Sequence, residues 1–137
     1  MSAKIFVNLP VKDLAKSREF FSQLGYGFNA QFSDENAACL VISDDIFAML
    51  LTEPFFKSFT KKDVADARTS TEAMIALSAE SRAQVDELAD KALAAGGSPA
   101  TDPQDHGFMY ARSFYDPDDH HWEVVWMDPA AIEQQPA

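Results

Sequence analysis

"KIFVNLPVKDLAKSREFFSQLGYG", residues 4–27, changes periodicity partway along. Ile5, Val7 and Leu9 alternate with Phe6 and Asn8, the period of a half-buried strand. Downstream, Leu14, Phe20, Phe21 and Leu24 share one side of a helix. Asp13 is suited to its N-cap and Gly25 to its stop. Three strand patterns follow: "GFNAQFS" (27–33), "AACLVIS" (37–43) and "IFAMLLT" (46–52), the last two joined by a tight turn at Asp44-Asp45.

The same order returns from Glu72. "EAMIALSA" (72–79) reads as a strand. "ESRAQVDELADKALAAGG" (80–97) reads as a helix, with Ser81 and Gln84 in a capping box and Gly96-Gly97 as the stop. "SPATDP" is a weak edge strand, and "FMYARSFY" and "HHWEVVWM" are strong ones joined by Asp116-Pro117-Asp118-Asp119. A strand–helix–strand–strand–strand order occurring twice predicts an α+β fold of two βαβββ modules. The expected organisation is one domain over 1–137: module one at 3–52, a connector at 53–71, module two at 72–127 and a tail at 128–137. The connector carries Phe55, Phe56 and Phe59, suited to a lid, to packing under the sheet, or to a contact between two copies of the chain.

Composition narrows the function classes. The 137 residues are 47% hydrophobic, and 22 acidic against 11 basic residues give a net charge of -11. Such a surface repels phosphate backbones, and Lys57, Lys61 and Lys62 make too thin a basic cluster for nucleic acid. There is no run of about 18 apolar residues, so no membrane span is expected. The start reads as a strand with no signal-like apolar core, and Cys39 is the single cysteine, which together suggest a cytoplasmic protein.

Three stretches carry a family likeness: "VNLPVKDLAKSREFFSQLGY", "IALSAESRAQVDELADKALAAGG" and "FYDPDDHHWEVVW". Together they resemble the glyoxalase/bleomycin resistance/extradiol dioxygenase group, the vicinal oxygen chelate superfamily. Small bacterial lactoylglutathione lyase-like proteins are the nearest resemblance. Asp119 stands where that group usually has glycine. The resemblance implies a cup-shaped sheet and, in metal-using members, one ligand from each of four strands. Those positions fall on Phe6, near Leu50, on Met74 and on Glu123, so only one carboxylate remains of a hard-donor set. No cofactor is therefore expected, with a divalent metal at a relocated site of His106, His121 and Glu123 as the alternative.

A four-residue turn at 116–119 would place Tyr115 opposite His120, and hence Arg112 opposite Glu123, Tyr110 opposite Val125 and Phe114 opposite His121. That register offers Glu123 a salt bridge to Arg112 as an alternative to ligating a metal. His120 would lie at the surface and His121 at the solvated rim of the cup. Asp105 beside His106 could tune an imidazole base. The expected site is thus Glu123 and His106 as catalytic groups, with Asn8, Tyr110, Arg112 and His121 binding substrate. Two functions follow from the resemblance: a lactoylglutathione lyase-related enzyme, or a non-catalytic protein that sequesters a small molecule such as a cationic antibiotic. The expected partners are a small-molecule ligand and a second copy in a homodimer.

Overall fold

A computed structural model describes residues 3–133. The chain divides into two compact units between Ser70 and Thr71.

In the first unit, β1 (Ile5–Val11) leads into α1 (Leu14–Gln23). Asp13 caps the helix by accepting from the Lys16 amide at 3.1 Å, and Gly25 ends it at φ +102. The positive φ costs glycine nothing and would strain most other residues. Next come β2 (Gly27–Asn29), a 3-10 turn (Ala30–Phe32), β3 (Ala37–Ser43), β4 (Ile46–Thr52) and the short helix α2 (Glu53–Lys57). The strand order is β1-β4-β3-β2, with β1 parallel to β4 and the other pairs antiparallel. Register sorts the side chains onto two faces. Leu9, Val11, Ala38, Leu40, Ala48 and Leu50 are buried together, on the face that α1 covers with Phe20, Phe21 and Leu24. Phe6, Asn8, Met49, Leu51, Ala37 and Cys39 share the other face.

The second unit repeats the plan. β5 (Met74–Ser78) leads into α3 (Arg82–Ala94), followed by β6 (Ser98–Pro99), β7 (Gln104–Asp105), β8 (Met109–Tyr115) and β9 (His121–Met127). A last turn of helix, α4 (Pro129–Glu133), begins the expected tail, and residues 134–137 of that tail lie outside the described residues. The order β5-β9-β8-β6 matches that of the first sheet, with β5 parallel to β9 and β7 also pairing with β8. Ser81 caps α3 through the Gln84 amide at 3.1 Å, and the Gln84 side chain returns to the Glu80 amide at 2.6 Å.

The β8–β9 register differs from the expected one. Tyr115 pairs with His121, Ser113 with Glu123, Arg112 with Val124 and Tyr110 with Trp126. The turn explains the one-residue slip. The Asp119 amide donates to the Asp116 carbonyl at 2.9 Å, Asp119 adopts φ +63, and the Asp116 amide then donates to the His120 carbonyl at 3.1 Å. This is a three-residue loop, a tight turn followed by a left-handed residue, closed by Asp116 and His120. Aspartate tolerates that conformation better than most side chains. A slip of one residue exchanges the faces of a whole strand. Tyr110, Arg112 and Phe114 consequently lie on the α3 side of the sheet with Trp122 and Val124, not beside Glu123.

Candidate functional site

Two recesses adjoin one another on the first sheet, on the face away from α1. One, of about 360 Å³, is lined by Asn8, Leu51, Phe56, Phe59 and Thr60. Its neighbour, of about 340 Å³, shares Asn8, Leu51 and Phe59 and adds Gln31, Phe32, Ser33, Asp34, Ala37, Met49 and Phe55. Strand parity places Asn8, Met49 and Leu51 on the floor. The 3-10 turn supplies one wall, and α2 with the residues after it supplies the other. Proline at the start of α2 fits a helix that begins directly from β4. Phe55 and Phe59 meet edge to face at 4.9 Å, yet Phe59 remains 70% exposed and Phe32 56% exposed.

The recess is finished in its hydrogen bonding where it meets the sheet. The Ser33 hydroxyl donates to the Asn29 carbonyl at 2.6 Å and accepts from the Cys39 amide at 3.0 Å. Asp34 accepts from the Asn36 and Ala37 amides through Oδ1 at 2.8 and 3.0 Å. Asn8 donates from Nδ2 to the Phe6 carbonyl at 3.1 Å, which aims its Oδ1 as an acceptor. Of the expected site residues, Asn8 is the one that this recess contains. Sequence alone did not mark Gln31, Phe32, Ser33 or Asp34; the Asn29–Asp34 stretch of polar turn formers after "GF" is the signal that was there to read.

The second unit holds the remaining expected residues and separates them. Glu123 is half-buried on the face away from α3, beside Ala76 and Ser113, and no hydrogen bond or ion pair reaches its carboxylate among the described residues. Arg112 instead binds Asp86 at 3.0 Å and Asp90 at 2.9 Å, both on α3, so the expected Arg112–Glu123 bridge does not form. The Tyr110 hydroxyl also donates to Asp86, at 2.6 Å. Tyr110 first, then Arg112, hold the Asp86 carboxyl below its usual range. Tyr110 and Arg112 thus fasten helix to sheet.

His121 does share the Glu123 face, but it is 7% exposed and packs edge-on against Tyr115 at 5.6 Å, rather than standing at a solvated rim. His120 is buried, not superficial, with Nδ1 2.5 Å from Glu72. His106 is exposed on the loop before β8 and lies 6.3 Å from the Phe108 ring. The carboxylate of Asp105 is taken by Arg82 at 2.9 and 2.6 Å and by the Gly107 amide at 2.9 Å, not by His106. Arg82 draws the Asp105 pKa down to about 2.

A buried carboxylate organises the β8–β9 turn. Asp116 accepts from the Asp118 amide at 2.9 Å, the His120 amide at 3.0 Å and Trp122 Nε1 at 2.9 Å. Burial outweighs those donors and raises its pKa to about 6.

The residues at the metal-ligand positions that the resemblance implies do not fit a hard divalent ion. Phe6 and Met74 bring no oxygen or nitrogen. Leu50 is corrected as well: it faces α1, and Met49 and Leu51, which share the Phe6 face, also lack such a donor. Within either unit, no three His, Cys, Asp or Glu side chains converge among the described residues.

Residues 5–43 match the family model for the bleomycin resistance protein-like N-terminal region. No curated protein matches the chain. Solved structures do. A hypothetical protein, SA1046 from S. aureus, is 27% identical, with 92% of this chain and 95% of that one covered at a TM-score of 0.77. A glyoxalase-related enzyme from Fulvimarina pelagi is 16% identical over 92% and 88% of the two chains, also at 0.77. The fosfomycin resistance protein FosX from Listeria monocytogenes is 21% identical over 92% and 91%, at 0.66. No helix among the described residues is long and apolar enough to cross a membrane.

Proposed function

We propose that this chain, which shares the fold of glyoxalase/bleomycin resistance/dioxygenase proteins, is a member of their superfamily and binds a small molecule in the phenylalanine-lined recess of its first unit, without metal chemistry. The observation that carries this reading is the recess itself. Phe32 and Phe59 hold large apolar surface open to solvent above a floor of Leu51 and Met49, with a few fixed polar atoms among them. Recesses of this size and lining suit organic ligands. Exposed rings at 70% and 56% gain hydrophobic stabilisation when a ligand covers them. The neighbours' chemistry enters here as analogy: a fold shared with resistance proteins is compatible with sequestration. The chain is further proposed to act in the cytoplasm.

The test is a thermal-shift screen of chelator-treated protein against aromatic metabolites and antibiotics, bleomycin and fosfomycin included. A ligand that binds the native state raises the melting temperature by mass action. The expected result is a hit that needs no divalent ion and is lost in Phe59→Ala. A hit that requires a divalent ion and is lost in Glu123→Gln would overturn the reading.

One observation favours a second reading. Glu123 is a half-buried carboxylate with no protein partner among the described residues, a suitable proton acceptor for a glyoxalase-related enzyme. Product formation dependent on Glu123 would establish it. A homodimer also remains a proposal, supported by the exposed rings. Light scattering checks it against the 15.1 kDa chain.

A further inference from the structure

We infer that residues 58–63 form a lid on the recess and that Lys57 is the positioning residue that latches it. This rests on the recess being the binding site. Lys57 itself lines neither recess, so its effect on a ligand is indirect.

Phe56, Phe59 and Thr60 line the recess from α2 and the turn that follows it. α2 has five residues, too few to hold a helix alone. Its turn is continued by the Ser58 amide to the Pro54 and Phe55 carbonyls at 3.2 and 3.1 Å, and by the Phe59 amide to the Phe56 carbonyl at 3.0 Å. The Thr60 amide reaches the Lys57 carbonyl at 3.3 Å, a long bond. There the helical bonding stops. Among the described residues, no backbone-to-backbone hydrogen bond reaches 61–65. Lys61, Lys62 and Asp63 are exposed, and Val64 is the next half-buried residue.

A side chain turns the chain back. Lys57 Nζ donates to the Lys62 carbonyl at 2.5 Å, closing a loop that contains Phe59 and Thr60. The Lys62 amide donates to the Thr60 hydroxyl at 3.2 Å, so Lys62 is gripped through both its carbonyl and its amide. The Ser58 hydroxyl bonds the Phe55 carbonyl at 2.5 Å, which strengthens the helical turn but not the return. Asp63 is fully exposed and 3.9 Å from the ammonium, an ion pair that contributes little. A charged donor makes the stronger hydrogen bond, yet Lys57 is 45% exposed and water competes for it. The latch is therefore one that opens. Phe59 touches Phe55 edge to face and is otherwise 70% exposed, so a swing of the turn carries its ring across the recess mouth at small cost in packing.

The experiment uses the full 15N-labelled chain and its Lys57→Met, Lys57→Arg, Asp63→Asn and Phe59→Ala variants. Heteronuclear NOEs at 60–63 and exchange of the Lys62 amide report the lid. Fluorescence titration with the neutral apolar dye N-phenyl-1-naphthylamine reports the recess. Lys57→Met should lower the NOEs and speed Lys62 exchange about 3- to 10-fold. It should weaken the dye by a similar factor, because only the latched fraction binds well. Lys57→Arg keeps a charged donor and should stay within about 2-fold of wild type, as should Asp63→Asn. Unchanged amide shifts outside 55–66 show that the variants remain folded. Unchanged NOEs and exchange in Lys57→Met overturn the latch. Loosening without loss of dye affinity, while Phe59→Ala still weakens the dye, overturns the lid and leaves the site standing. A dye insensitive to both Phe59→Ala and Lys57→Met sinks the site together with the lid.

Discussion

Asp116→Asn tests the buried turn most sharply. The wild-type carboxyl is raised to about 6 by burial, against an ordinary value of 3.8. Between those values the folded chain holds a proton that the unfolded chain has released. Stability from this group is therefore fully present below about 3.8, falls as pH rises, and is gone above about 6. A shift of roughly two units corresponds to about 3 kcal/mol. Asparagine cannot titrate, and its Oδ1 can still accept from the Asp118 and His120 amides. Its amide nitrogen, however, would face Trp122 Nε1, so the Trp122–Asp116 hydrogen bond is lost at about 1–3 kcal/mol regardless of pH. The informative quantity is thus the wild-type minus variant difference in unfolding free energy, from urea titrations at pH 4, 5, 6 and 7.5. That difference should shrink by about 2–3 kcal/mol between pH 4 and 7.5 in favour of the variant. A difference that stays flat would show that the three donors keep Asp116 ionised, and would refute the dominance of burial.

Arg112→Ala and Asp86→Ala should be coupled by about 0.5–2 kcal/mol in a double-mutant cycle, whereas Arg112→Ala and Glu123→Ala should add within about 0.5 kcal/mol; the opposite pattern would restore the hairpin register in which Arg112 faces Glu123. Asp119→Gly should raise the melting temperature by a few degrees, because glycine adopts φ +63 without strain, and Asp119→Val should lower it. Elemental analysis of protein purified without a histidine tag should find well below one divalent ion per chain, since Phe6, Met74, Met49 and Leu51 offer no hard donor.

Much of the fold was legible because its signals are local. The switch from strand to helix at Asp13, the stops at Gly25 and Gly96, and the Ser81 cap each depend on a few neighbouring residues. The repeat followed from their order. The hairpin register was not reached, and the loss was specific. Asp116-Pro117-Asp118-Asp119 reads naturally as a four-residue turn, yet Asp119 adopts the left-handed conformation usually left to glycine and moves every later pair by one. Proline at the second turn position with aspartate two residues on was the available clue. The error fell on the site, because Tyr110 and Arg112 of β8 lie on the α3 side of the sheet and not on the face of Glu123. His120 and His121 were misjudged for a different reason. Burial beside a turn depends on what packs over it, here Glu72 and Tyr115, and strand alternation carries no information about that. The recess of the first unit was half visible. Phe55, Phe56 and Phe59 stood out in the connector, but their meeting with Asn8 and the Ala30–Phe32 turn depends on register and on how α2 leaves β4.

The central claim is that a ligand sits against Asn8 and the phenylalanines of the first unit and needs no metal. The most direct measurement is an amide chemical-shift map of chelator-treated, 15N-labelled protein saturated with the tightest ligand found in the screen. The account predicts shifts concentrated at Asn8, at residues 31–37 and at residues 55–60, unchanged on adding zinc or manganese. Shifts centred on Ala76, His121 and Glu123, appearing only once a divalent ion is supplied, would contradict it.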